Sequence, residues 1–173
     1  PTSEVPFAGH PNLGTAFTLY RNGYLGAAQP PLQVVFEEEA GLVPVTITNP
    51  DNGHPFFELQ APTPLSLGAE INVEAVVQAL SLSVSAIRSD RHRPQLASVG
   101  LPFLMVELKD QEALEKARPN LDAFPVLQVQ GVAMTHLYVR SEDEFDLRTR
   151  MFAPLDGVTE DAATGSANCA LAG

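Results

Sequence analysis

Apolar and polar positions alternate along some stretches of this chain and recur at helical spacing along others, so elements can be read before any chemistry. Val43, Val45 and Ile47 alternate with Pro44, Thr46 and Thr48 within Leu42 to Thr48, the period-two pattern of a half-buried strand. Gln33 to Glu38 is a second strand-like run, and Glu39-Ala40-Gly41 between the two predicts a hairpin. Phe103 to Lys109 and Val132 to Val139 are further predicted strands. Asn72 is placed to cap a helix over Val73 to Leu80, and Asp110 one over Gln111 to Arg118 that Pro119 stops.

Two other segments are small or apolar almost all the way round. Pro11-Asn12-Leu13-Gly14-Thr15-Ala16-Phe17-Thr18-Leu19-Tyr20 predicts a buried helix, with Pro11 in its first turn and Gly23 at its exit. Thr164-Gly165-Ser166-Ala167-Asn168-Cys169-Ala170-Leu171-Ala172 predicts a second, whose small residues suit strands approaching from several sides. The Pro-rich stretch Gln60-Ala61-Pro62-Thr63-Pro64-Leu65 has the composition of a connection, which divides the chain into residues 1–64 and 65–173.

Composition narrows the partners. Ten Lys plus Arg against 21 Asp plus Glu give a formal charge of −11, which repels phosphate backbones and acidic lipid surfaces, so neither nucleic acid nor membrane is an expected partner. A small anion is still admissible, because helix ends act at contact distance. The single Cys169 forms no intrachain disulfide, and a cytoplasmic setting is expected. Pro1 and Gly173 both fall inside sequence patterns rather than at natural ends, which gives the expectation that the chain is a piece of a longer protein.

The two helix starts share a motif. Gly9-His10-Pro11-Asn12 and Thr164-Gly165-Ser166-Ala167 each open with Gly beside polar side chains. The first N–H groups of a helix have no internal partner and carry about half a positive charge, and glycine lets an anion approach them. Gly9 and Gly165 would offer backbone N–H groups. Asn12 and Ser166 stand within first turns, where they either bond a ligand or satisfy neighbouring amides. His10 sits at the cap position of one start; Asp161 precedes the other, where it is equally suited to capping.

The stretch Val5-Pro6-Phe7-Ala8-Gly9-His10-Pro11-Asn12-Leu13-Gly14-Thr15-Ala16 resembles a signature of the PhzF-like family of phenazine-biosynthesis isomerases. So does Arg150-Met151-Phe152-Ala153-Pro154-Leu155-Asp156-Gly157-Val158-Thr159-Glu160-Asp161-Ala162-Ala163-Thr164-Gly165-Ser166-Ala167, with Arg93-Pro94-Gln95 and Val99-Gly100 resembling a weaker middle signature. The resemblance implies an α+β, diaminopimelate-epimerase-like fold. Its two pseudo-symmetric domains are each a curved sheet or barrel around a central helix, and both are incomplete here. It implies a cofactor-independent proton shift in a small carboxylate-bearing metabolite, with no metal, in a protein that often pairs as a homodimer. Matched residue by residue, His10 and Asp161 would be the catalytic acid and base, and Gly9, Asn12, Thr164, Gly165 and Ser166 would bind substrate. The alternative is a non-catalytic carboxylate-binding protein of the same fold.

Racemases of this fold use a cysteine pair, and the equivalent positions here are Ala8 and Ala162; Cys169 reads as a buried thiol in a packed helix. The family's main base is a glutamate upstream of the first signature. Glu4 stands too close to Gly9-His10 to fill that place, so the 173-residue chain is expected to be inactive alone. Among the remaining groups, His54 lies in a turn-rich stretch, His92 between two arginines and His136 in a predicted strand, and Glu37-Glu38-Glu39 reads as a solvated charge run.

Overall fold

Alternation and capping carry over directly into local structure. The computed structural model of the protein describes residues 4–27, 29–49, 53–141 and 143–173; the turn expected after Asn49 lies partly outside them. Strands β1 (Leu32–Glu38) and β2 (Gly41–Thr48) form the expected hairpin, and β3 (Phe56–Leu59) adds antiparallel to the free edge of β2. Val43, Val45 and Ile47 are all fully buried, as their spacing predicts. Helix α1 (His10–Arg21) packs against β2 and β3.

A six-stranded sheet follows, in the order β4 (Ser66–Glu70), β5 (Gln95–Ser98), β6 (Pro102–Glu107), β7 (Thr135–Arg140), β8 (Leu147–Ala153) and β9 (Val158–Asp161). Neighbours are antiparallel except β6 and β7, which are parallel. A parallel pair needs a crossover, and it carries α3 (Gln111–Lys116) and α4 (Phe124–Gln128). With α2 (Val73–Leu80) these cover one face of the sheet, enclosing Leu104, Val106, Leu137 and Phe152. Helix α5 (Gly165–Ala172) lies on the other face, against Phe103, Met105 and Met151.

Burial departs from the sequence reading in both ungreasy helices. In α1 only Asn12 and Ala16 are buried, because the three-stranded sheet covers one side. In α5 Ser166, Ala167 and Ala170 are buried and Asn168 is exposed. Helix α3 ends at Lys116 rather than Arg118, since the residue before Pro119 is pushed out of helical geometry. The short α4 has no capping side chain, which is why its start carried no signal.

The two sheets meet at Gly100. Its φ of +131° suits glycine, and a Cβ there would lie 2.9 Å from Pro62 Cγ and 3.0 Å from Ala40 Cβ. The connection around Pro62 is thus packed on the hairpin turn and the start of β6. No helix among the described residues is long and apolar enough to cross a membrane.

Candidate active site

The N-termini of α1 and α5 touch. A Cβ placed on Gly9 would lie 2.9 Å from the Ser166 nitrogen and 3.0 Å from Gly165 Cα, so only glycine allows this approach. From the other side, a Cβ on Gly165 would meet Gly9 Cα and the His10 nitrogen at 3.5 Å, an ordinary contact. Neither helix start receives a side-chain cap. Two positive helix ends therefore converge on one point, although the Gly165 amide donates to the Ala163 carbonyl at 3.1 Å rather than standing free as its position predicts.

A cleft of about 490 Å³ opens there, with Gly9, His10, Asp161, Thr164, Gly165 and Ser166 on its rim and Phe7, Phe103, Met134 and Met151 on its apolar wall. His10 is exposed and occupies the first helical position of α1 rather than the cap, which is Gly9. Ser166 is buried and lines the cleft. Asp161 does not cap α5 either; it accepts a hydrogen bond from the Thr164 hydroxyl at 2.5 Å.

Asn12 stands behind the rim. Its Nδ2 donates to the Ala8 carbonyl at 2.9 Å and to Glu38 Oε1 at 2.7 Å, and Glu38 Oε2 accepts from the Ala8 amide at 3.0 Å. Glu38 therefore departs from the solvated run expected of it: one of three adjacent glutamates is half-buried and holds the approach to α1, while Glu37 and Glu39 stay exposed. The strand alternation that separates Glu38 from its neighbours was the available signal.

His136 supports α5 in a comparable way. Its Nε2 donates to Asn168 Oδ1 at 3.0 Å, while Nδ1 is buried with no partner among the described residues. Burial outweighs that bond and depresses the imidazole to about 4, so it is neutral at ordinary pH. His92 bonds Tyr138 Oη at 2.5 Å near the buried Glu107, itself 3.1 Å from Arg91; burial, then Glu107, push the Tyr138 phenol up to about 12. His54 lines a separate hollow of about 420 Å³ near the far end of α1. Cys169 is half-buried and burial pushes its thiol up. Among the described residues no three His, Cys, Asp or Glu groups stand together as a metal site.

The arrangement can hold an anion between two helix ends and offers beside it the His10 imidazole and three carboxylates, Asp161, Asp156 and Glu4, the last of which lines the cleft although its spacing from Gly9-His10 set it aside. Fold and site together define an α+β protein with a cleft at two touching helix N-termini, bordered by ionisable side chains. The chain belongs to the phenazine biosynthesis-like family PhzC-PhzF, whose model matches residues 1–173. It is 34% identical over 99% of its length to the trans-2,3-dihydro-3-hydroxyanthranilate isomerase of Pseudomonas aeruginosa, covering 56% of that protein. It is 33% identical over 100% of its length to an uncharacterized isomerase of Mesorhizobium japonicum, covering 58% of it. Among solved structures, a predicted epimerase of Pseudomonas aeruginosa superposes with a TM-score of 0.77 at 28% identity, over 98% of this chain and 57% of that one. A PhzF-family protein of Bacillus anthracis superposes with a TM-score of 0.81 at 22% identity, over 99% and 57%. The chain thus spans little more than half the length of the relatives it matches.

Proposed function

We propose that this chain forms the substrate cleft of an isomerase that moves a proton between carbons of a small carboxylate-bearing metabolite, with no metal or organic cofactor. The observation that carries the reading is the contact of two uncapped helix starts, Gly9 against Gly165-Ser166, between His10 and Asp161. The N–H groups there hold the substrate carboxylate, and preorganised donors of this kind stabilise negative charge more strongly than water does. His10 and Asp161 act as acid and base. Ser166 bonds the substrate, while Asn12 and Thr164 shape the site through Glu38 and Asp161.

In this reading residues 1–64 and 65–173 are parts of two pseudo-symmetric, diaminopimelate-epimerase-like domains of a longer cytoplasmic protein that pairs as a homodimer. Its main glutamate base lies outside these 173 residues. The names of the isomerase relatives support the reaction class, and one of them supplies a first substrate to try.

The test is solvent deuterium incorporation into trans-2,3-dihydro-3-hydroxyanthranilate and a panel of small 2-amino and 2-hydroxy acids, with the 173-residue chain and a protein of the relatives' full length. Incorporation by the long protein and none by the short chain is expected. Binding of these acids without incorporation by the long protein sinks the enzyme reading in favour of a carboxylate-binding protein. Equal rates in both remove the requirement for an outside base.

A further inference from the structure

Asp161 ends a strand whose aim is set from the opposite face of the sheet. Along β8, Met151 and Ala153 face α5, whereas Phe152 faces the core under α3 and Arg150 reaches the α3 carbonyls. Met151 pairs with Asp161 and Ala153 with Val158, so β9 carries one more residue than β8 between these pairs. Paired with Met151, Asp161 shares its inward face, but at such a bulge a slip of one residue would exchange Glu160 for Asp161, so something must hold the register.

Arg150 settles it. Its Nε and Nη2 donate to the two carboxylate oxygens of Glu160 at 2.7 and 2.8 Å. Its Nη1 donates to the carbonyls of Leu114 and Ala117 at 2.8 and 2.9 Å, and its guanidinium lies 4.8 Å from the centre of the Phe152 ring. A bidentate fork anchored on a helix end and an aromatic face has one orientation. Glu160 is thereby held on the outer face, and its neighbour Asp161 is turned inward to Thr164 and the cleft. Each partner holds the other charged: Glu160 raises the Arg150 guanidinium, and Arg150 lowers the Glu160 carboxyl.

We propose that Arg150 and Glu160 are a positioning pair that aims Asp161 at the substrate across the β8–β9 bulge. This rests on Asp161 acting as acid or base. The Glu160 side chain is 41% exposed, so the pair contributes little to folding, and its effect belongs in turnover.

In the full-length protein Glu160→Ala should lower kcat by roughly 10–100-fold with KM within about threefold, as misplacement of a reacting group does. Glu160→Gln, which keeps one of the two bonds, should fall between it and the parent. In an Asp161→Asn background Glu160→Ala should cost nothing further. An unchanged kcat in Glu160→Ala, or the same loss in both backgrounds, overturns the pairing. If Asp161→Asn itself leaves kcat unchanged, the acid–base reading fails first and the proposal falls with it. A second readout does not depend on turnover: the backbone amide resonances of Thr164, Gly165 and Ser166 should shift in Glu160→Ala, and unmoved resonances overturn the proposal. Arg150→Ala also strips the α3 carbonyls of their donor, so the Glu160 variants carry the test.

Discussion

Helices α2 and α3 begin in one way, and α1 and α5 in another. Asn72 accepts from the amides of Glu74 and Ala75, and Asp110 accepts from that of Ala113, so the peripheral helices spend their free donors on their own side chains. At the cleft no side chain caps either helix, and both starts carry glycine. A cap is worth about 1 kcal/mol, and since the short peripheral α4 also lacks one, a missing cap marks the site only where two helix starts touch. Leaving it out where two helix ends touch keeps donors available to a ligand, and that difference locates the site more firmly than any single residue does.

The strongest way to sharpen the contrast is through the side chains beside the free donors. His10→Asn and Asp161→Asn in the full-length protein should each slow turnover by about 10²–10⁴-fold if they transfer protons, read from solvent deuterium incorporation. Rates that barely move while stability falls would make both residues structural.

Next comes the support under α5. His136 has its folded pKa near 4, below the unfolded value of 6.5, so the unfolded chain takes up a proton first as pH falls. Stability is full above pH 6.5 and is lost between 6.5 and about 4, by roughly 3 kcal/mol in all. Urea midpoints across that window should show the slope in the parent and not in His136→Gln. The same slope in both would assign it to other groups.

The two glycines should part company. Gly9→Ala drives a methyl into the Ser166 backbone and should cost about 1–3 kcal/mol. Gly165→Ala meets only ordinary contacts, and alanine is a better helix residue, so thermal unfolding should shift by less than about 1 kcal/mol. Equal losses would mean the helix starts do not meet as described.

Smallest of all are the peripheral caps. Asn72→Ala and Asp110→Ala should each lower stability by about 1 kcal/mol and leave carboxylate binding at the cleft unchanged, as calorimetric titration of the same acids would show. Weaker binding in either would break the separation between capped and uncapped helices.

Much of this was legible locally. The hairpin, the Asn72 cap and the buried face of β2 follow from spacing within a few residues, and both glycine starts stand out beside His10 and Asp161. Less legible were the residues that hold the site. Glu38 looked like one of three equivalent charges until β1 turned it towards Ala8 and Asn12, and His136 looked like any strand histidine until α5 brought Asn168 to it. Arg150 and Glu160 are ten residues apart in the second signature, yet nothing in their spacing says that they grip each other across a bulge. The expected burial of α1 also failed, because small apolar composition fits a helix that strands could surround, while only one sheet covers it.

By itself the sequence determined which segments form helices and strands, where glycine removes steric bulk, and which ionisable groups stand next to helix starts, because short-range spacing encodes them. The tertiary structure alone decided that the starts of α1 and α5 meet, that Asp161 points inward, and that Glu38 and His136 brace the two sides. Those facts depend on contacts between residues far apart in the chain, and the energy of such a contact appears only once packing has brought its partners together.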